Sequence, residues 1–107
     1  MINWARVQEL EDDIGTDILN EVVELFLDEV EVVIDYLRLG DVGRNLEEDM
    51  HLLKGSALNL GFDALGGLCS SGEKIAAEGR NRDVPVTQIL KAYDASKAEF
   101  LGRLASN

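Results

Sequence analysis

The sequence predicts an all-α protein, an antiparallel four-helix bundle with a short additional N-terminal helix. Three observations support this fold class. The 107 residues include a single proline, no segment alternates five β-branched or aromatic residues with polar ones, and apolar residues recur at steps of three and four. Five helical segments joined by brief turns fit one domain over residues 1–107, without repeat or linker.

The first two helices are predicted from their caps and their apolar spacing. The first runs from Asn3, its N-cap, to Asp13, shortly before a glycine. The second spans residues 17–38, with Thr16 or Asp17 as its cap. Its apolar positions alternate steps of four and three and form a seam that faces one core: Leu19, Val23, Phe26, Val30, Val33 and Leu37.

The three remaining helices are bounded by glycine and proline. The third spans residues 44–60 and ends at Gly61, in the C-cap position. The fourth spans residues 63–78, and the fifth starts near Pro85 with Asp83 as its N-cap. The predicted apolar faces are Leu65, Leu68, Cys69, Ile75 and Ala76 on the fourth helix, and Ile89, Tyr93, Phe100 and Leu104 on the fifth.

The fourth helix has an unusual composition. Gly66, Gly67 and Gly72 each cost about 1 kcal/mol relative to alanine in a helix interior. Cys69 lies within the apolar stripe, so a buried structural thiol is favoured over a redox role. Because it is the only cysteine, it excludes an internal disulfide and fits a reducing compartment.

Charge restricts the partners of the protein. The net charge is −11 and the pI is near 4.3, which argues against binding to nucleic acid or to an anionic membrane surface. No apolar run reaches the roughly 18 residues of a membrane span, and the N-terminus lacks the pattern of a signal peptide. We therefore expect a cytoplasmic monomer. The acidic residues of the second helix are expected to form a solvated face: Asp28, Glu29, Glu31 and Asp35.

The sole histidine, His51, lies on the third helix. On a helical wheel it points about 140° away from the centre of the core face. That core face consists of Leu46, Met50, Leu53, Ala57 and Leu60. The outer face around the histidine consists of Arg44, Glu47, Glu48, Lys54, Gly55, Leu58 and Asn59. An isolated surface histidine is usually only solvated, so its neighbours decide whether it has a function.

Three neighbours favour phosphoryl carriage on the histidine. Lys54, at i+3, can reach over a negative group carried by His51. Gly55, at i+4, is a poor mid-helix residue that leaves the flank of the imidazole bare. Leu58 is apolar on the same outer face and fits a docking patch. Neutral imidazole is a good nucleophile near pH 7, and phosphoryl transfer needs little beyond positioning and cations.

The segment 51–57, His-Leu-Leu-Lys-Gly-Ser-Ala, followed by Gly61, resembles the signature of histidine-containing phosphotransfer (HPt) domains. The resemblance implies that His51 takes a phosphoryl group from an aspartate of one receiver domain and passes it to an aspartate of another. It also implies that Lys54 stabilises the phosphate and that Gly55 provides access. The sequence departs from the family pattern at Ala57, where many members have a second serine, and at Phe62, where a small residue is common.

The resemblance also implies the partners, which are receiver domains of response regulators or hybrid histidine kinases. We expect them to contact Leu58, Asn59 and Glu48 beside the histidine. It implies neither a metal nor another cofactor, since the partners bring Mg²⁺ in their own acidic sites. The protein would then be a stoichiometric phosphocarrier rather than an enzyme.

Several alternatives were weighed against this interpretation. Glu48-x-x-His51 matches only half of a di-iron motif, and residues 67–74 resemble a P-loop with a displaced lysine, so we expect neither metal nor nucleotide. A helical interaction or scaffold domain with an incidental histidine remains the rival function. The sequence also leaves open whether the chain is a free shuttle or a module of a longer kinase.

Overall fold

The structure, a computed structural model, describes residues 2–40 and 43–106, with side chains up to residue 103. The described residues form five α-helices and no strand, which confirms the all-α fold class. The helices are α1 (Trp4–Ile14), α2 (Thr16–Leu39), α3 (Leu46–Leu60), α4 (Asp63–Ala77) and α5 (Val86–Ser106), with a 3₁₀ turn at Asn81–Asp83 before α5. No helix in these ranges is long and apolar enough to cross a membrane.

Two of the predicted helix ends are confirmed. The side chain of Asn3 accepts a hydrogen bond from the backbone N–H of Arg6 at 3.1 Å, as an N-cap does. Gly61 ends α3 in the left-handed region, with φ of 85°, where a residue with a Cβ would be strained.

Three predicted caps or starts are wrong. Neither Thr16 nor Asp17 caps α2, because the single linking residue, Gly15, takes the N-cap position and Thr16 is already helical. The third helix begins two residues later than predicted, since Asn45 is its N-cap and accepts from the N–H of Glu48 at 3.2 Å. Asp83 lies in the 3₁₀ turn, where its carboxylate accepts a hydrogen bond from the side chain of Arg80.

The core lies where the apolar spacing predicts it. Every residue of the α2 seam is buried, together with Met50, Leu53, Ala57 and Leu60 of α3. Leu65, Cys69 and Ala76 of α4 and Ile89, Tyr93 and Phe100 of α5 are also buried, while Leu68 and Ile75 are half-buried against this cluster. The side chain of Leu104, the last member of the predicted α5 face, lies outside the described residues.

Phe62, one of the two departures from the family pattern, is a buried core residue. Its ring lies 5.3 Å from that of Phe26 and 5.4 Å from that of Phe100, between centroids. Trp4 of α1 stacks on Phe100 with 5.6 Å between ring centroids. The large side chain at position 62 therefore connects α2 and α5 within the core, and Phe100 in turn contacts the N-terminal helix.

Two of the three α4 glycines allow α4 to approach α3 closely. A Cβ atom at Gly66 would lie 2.5 Å from Cδ2 of Leu58, and one at Gly72 would lie 2.9 Å from the sulfur of Met50. A Cβ at Gly67 would meet nothing within 4 Å, and nothing in the structure explains that glycine. The cost of glycine in the helix is therefore offset at two positions by close helix packing.

The acidic face of α2 is solvated, with one exception. Asp28, Glu29 and Asp35 are exposed as expected. Glu31 is half-buried, because its carboxylate accepts a hydrogen bond from the hydroxyl of Tyr93 at 3.0 Å and pairs with the ammonium of Lys97. This residue joins α2 to α5 and is not free in solvent.

Candidate functional site

The exposed imidazole of His51 is the centre of the candidate site. The side chain is 73% exposed, while Met50 and Leu53 on the opposite face of α3 are fully buried. This confirms the orientation predicted from the helical wheel. Helix α3 is fixed at both ends by Asn45 and Gly61, so the histidine stands on a rigid element.

The histidine contacts a residue that the sequence analysis did not select, Glu73 of α4. Its Oε2 lies 2.6 Å from Nδ1 of His51, and its Oε1 accepts a hydrogen bond from the ammonium of Lys54. One carboxylate thus holds both side chains of the predicted phosphotransfer pair. The side chain of Glu73 is only 20% exposed, so it lies beneath a ring that is itself open to solvent.

A weak sequence signal for Glu73 exists. It follows Gly72 directly and lies four residues after the buried Cys69, so it adjoins the apolar stripe of α4. A carboxylate at the margin of a buried stripe needs a partner, and here that partner lies on another helix. His51 and Glu73 are 22 positions apart in the sequence, and their pairing could not be found from the sequence because it depends on how α3 and α4 are aligned.

Lys54 lies one turn after His51, as the spacing predicts, and its side chain is 27% exposed. Its ammonium pairs with Glu73 and so lies beside the carboxylate that contacts the imidazole. Lys54 is the main cause that lowers the pKa of Glu73. Burial opposes this shift, and the hydrogen bond to His51 adds to it. Glu73 is therefore an anion at neutral pH.

The second ring nitrogen, Nε2, remains available to act as a nucleophile. Among the described residues, the imidazole has a hydrogen-bond partner at Nδ1 alone. The ring lies in an open groove lined by Asn45, Glu47, Glu48, Leu52 and Glu73. Nε2 is therefore the ring nitrogen at which an incoming group displaces no hydrogen bond of the described residues.

Gly55 leaves open space beside the histidine. A Cβ atom at this position would meet no heavy atom within 4 Å, and the residue is exposed. The packing of the protein therefore does not require a glycine here, in contrast to Gly66 and Gly72. This agrees with the expectation that Gly55 does not serve core packing.

The three predicted docking residues lie on two sides of the histidine. Glu48 is exposed and lines the same groove as His51. Leu58 is 46% exposed and lies against Gly66 of α4. Asn59 is exposed but lines a second groove between α1, α2 and α3. The structure thus gathers His51, Lys54, Gly55 and Leu58 on one strip and turns Asn59 toward α2.

The remaining acidic residues and the cysteine were also considered as possible metal ligands or reactive groups. Within residues 2–40 and 43–103, no group of three or more His, Cys, Asp or Glu side chains is arranged to hold a metal ion. Cys69 is fully buried, and burial raises the pKa of its thiol to about 12. The thiol is therefore buried, as predicted, and stays protonated at neutral pH.

The fold and site together define a class: an all-helical domain that presents one imidazole, with a lysine one turn away, on its surface. A family model for the Hpt domain matches residues 21–104, and the chain belongs to this family. The match covers α2 from residue 21 onward, all of α3 and α4, and α5 up to residue 104, and it includes His51. No curated protein and no solved structure matches the chain significantly. Hpt domains are phosphocarrier modules that perform histidine phosphotransfer with receiver domains in two-component phosphorelays.

Proposed function

We propose that residues 1–107 form one cytoplasmic Hpt domain that carries a phosphoryl group on Nε2 of His51 between aspartates of receiver domains. In this proposal α2 to α5 are the antiparallel four-helix bundle of the family, and α1 is the additional N-terminal helix. The partners are receiver domains of response regulators or hybrid histidine kinases. The protein is modified stoichiometrically and acts as a carrier, without a cofactor of its own.

One observation carries the proposal: His51 is exposed with Nδ1 occupied and Nε2 open. A carboxylate bound at Nδ1 leaves Nε2 as the nitrogen available to a partner, on a ring that lines an open groove. Gly55 adds no Cβ on the flank of the ring. An incidental surface histidine would need neither a fixed ring orientation nor a bare neighbour that costs about 1 kcal/mol of helix stability.

The chemistry needs few groups from this chain. The lone pair of Nε2 attacks phosphorus, the new P–N bond forms, and the bond from phosphorus to the aspartyl oxygen breaks with its electron pair on that oxygen. The receiver domain supplies the acyl phosphate. Lys54 then has a second anion nearby, because the phosphoryl oxygens arrive one turn away from its ammonium. We assign it to charge stabilisation of the transferred group.

An apolar surface beside the site supports docking of a partner protein. Helix α2 carries a second seam of exposed apolar residues, separate from its buried seam: Ile18, Val22, Leu25, Val32, Tyr36 and Leu39. Val22 and Leu25 line a groove together with Ser56 and Asn59 of α3. Asn59 lies about 12 Å beyond His51 along α3, at 1.5 Å per residue. Exposed apolar side chains that share one helix face support the proposal that this face takes part in docking.

The charged residues of α2 indicate which kind of partner protein can bind this surface. Glu21, Glu24, Asp28 and Glu29 are exposed around the apolar seam, and Glu29 interrupts it. Two copies of this chain would oppose these carboxylates, which disfavours self-association through α2. A receiver domain that presents apolar residues bordered by Lys or Arg complements the surface in both shape and charge.

The direct test is phosphoryl transfer from labelled receiver domains. We expect the protein to take a label that is labile in acid and stable in base, and His51→Gln to take none. Since His51 is 73% exposed, that variant should keep its stability within about 0.5 kcal/mol. Label retained by His51→Gln would overturn the proposal, and failure of every receiver tested would favour a helical interaction domain with an incidental histidine.

A further inference from the structure

Two carboxylates border the histidine on its N-terminal side. Glu47 and Glu48 precede His51 by four and three residues on α3, and both line the groove in which the ring lies. Residues at these spacings are neighbours on one helix face. We infer that Glu47 and Glu48 destabilise the phosphorylated state of His51 by charge repulsion and so shift the equilibrium of transfer toward the receiver aspartate. The inference rests on the proposed phosphoryl carriage and concerns the equilibrium constant of that reaction.

Both side chains are open to the group that the ring would carry. They are exposed, and within the described part of the chain neither has a hydrogen bond or an ion pair. The next carboxylate along the helix differs from them, since Asp49 is buried and pairs with Arg44 at 2.7 Å. The charges of Glu47 and Glu48 are therefore not offset by a partner of their own, and they act on the groove beside the imidazole.

The cation near the ring does not cancel these two charges. The charged groups that face the imidazole are Glu47, Glu48 and Lys54 from α3 and Glu73 from α4. The ammonium of Lys54 pairs with the carboxylate of Glu73, so these two charges largely offset each other. The two exposed carboxylates therefore set the sign of the charge around the ring, and that sign is negative.

A phosphoryl group adds negative charge to this negative groove. In the onward step the P–N bond breaks and its electron pair returns to Nε2, while an oxygen of the receiver aspartate forms the new bond to phosphorus. The step removes negative charge from the groove, so repulsion by Glu47 and Glu48 favours its products. For neighbours on one helix face, Coulomb's law in water with partial screening gives about a two- to threefold change in the equilibrium constant per carboxylate.

The test is the equilibrium between the phosphorylated protein and a phosphorylated receiver domain, approached from both directions with a labelled phosphoryl group. Glu47→Gln and Glu48→Gln should each lower the equilibrium constant for transfer to the receiver about two- to threefold, and Glu48→Lys should lower it further. Glu99→Gln and Glu99→Lys are the matched controls, because Glu99 is an exposed carboxylate of α5 and the net charge changes equally. These controls should leave the constant unchanged. In about 1 M salt, where the screening length is about 3 Å, the shifts at positions 47 and 48 should vanish.

An equilibrium constant distinguishes this effect from a contribution to docking. A residue that only contacts the receiver changes the rates of transfer in both directions by the same factor, so the ratio of those rates stays constant. Wild-type equilibrium constants in both Glu47→Gln and Glu48→Gln would overturn the inference, and so would shifts that persist in about 1 M salt. Label retained by His51→Gln would instead overturn the proposed function.

Discussion

A Cβ atom at Gly72 of α4 would lie 2.9 Å from the sulfur of Met50 on α3, so the two helices meet closely at this pair. Each residue directly precedes a member of the site, since His51 follows Met50 and Glu73 follows Gly72. Beside this contact, Oε2 of Glu73 lies 2.6 Å from Nδ1 of His51. Packing between two core-facing residues thus sets the geometry of two residues at the surface.

Substitution of the α4 glycines should distinguish the effect of helix packing on stability from the effect of helix propensity. Gly72→Ala should lower the free energy of unfolding by about 1–3 kcal/mol, because Met50 is fully buried and has little room to move. Gly67→Ala should raise it by about 0.5–1 kcal/mol, since its Cβ meets nothing within 4 Å. Chemical denaturation of both variants measures the difference, and equal effects would show that close packing at Gly72 is unimportant.

Side chains at position 55 should obstruct transfer without harming the fold. Gly55→Ala and Gly55→Gln should both be as stable as the wild type or more stable by about 0.5–1 kcal/mol. Transfer should fall moderately with Ala and strongly with Gln, whose side chain lies one turn from the imidazole. Gly102→Gln on α5, where a Cβ also meets nothing within 4 Å, is the control for the substitution itself. A Gly55→Gln protein that transfers at the wild-type rate would remove the case for access at this position.

The exposed seam of α2 should contribute to receiver binding. Leu25 is 69% exposed and lines the groove beside Asn59, so Leu25→Glu should weaken receiver binding by about tenfold, or about 1.4 kcal/mol. Leu101→Glu, at an exposed apolar residue of α5, should leave the affinity unchanged. Titration calorimetry with one receiver domain compares the two. Equal affinities for both variants would place the receiver elsewhere on the surface.

The stability that Glu31 contributes by joining α2 to α5 should depend on pH. The hydrogen bond from Lys97, and then that from Tyr93, holds the pKa of Glu31 below its ordinary value of 4.5. The carboxylate therefore stabilises the fold above pH 4.5, and this contribution is lost as the pH falls through the lowered folded-state value. Because Glu31 and Lys97 are each about one-third exposed, Glu31→Gln should cost only about 0.5 kcal/mol at pH 7.

Denaturation at pH 7 and near pH 3 provides the comparison for Glu31. The stability difference between the wild type and Glu31→Gln should shrink at the lower pH. Glu24→Gln replaces an exposed carboxylate of the same helix and should show a smaller difference at both values. A difference for Glu31→Gln that stays constant with pH would mean that the charge of Glu31 does not stabilise the link.

Local features of the chain determined most of the fold. The α2 seam from Leu19 to Leu37 is buried as its spacing predicts, and the same periodicity placed His51 on the outer face of α3. Asn3 and Gly61 mark helix ends because their conformational preferences act within a few residues. The ends at Thr16 and Asp83 were wrong because a neighbouring glycine or turn decided them.

The tertiary structure decided which side chains from different helices meet. Spacing along one helix defines the face of each residue, but the axial offset between α3 and α4 depends on how their surfaces interlock at Gly66 and Gly72. That offset brings Glu73 to His51 and Lys54, and it could not be derived from periodicity. The sequence by itself therefore determined that the histidine is exposed, and only helix packing decided which of its nitrogens is free.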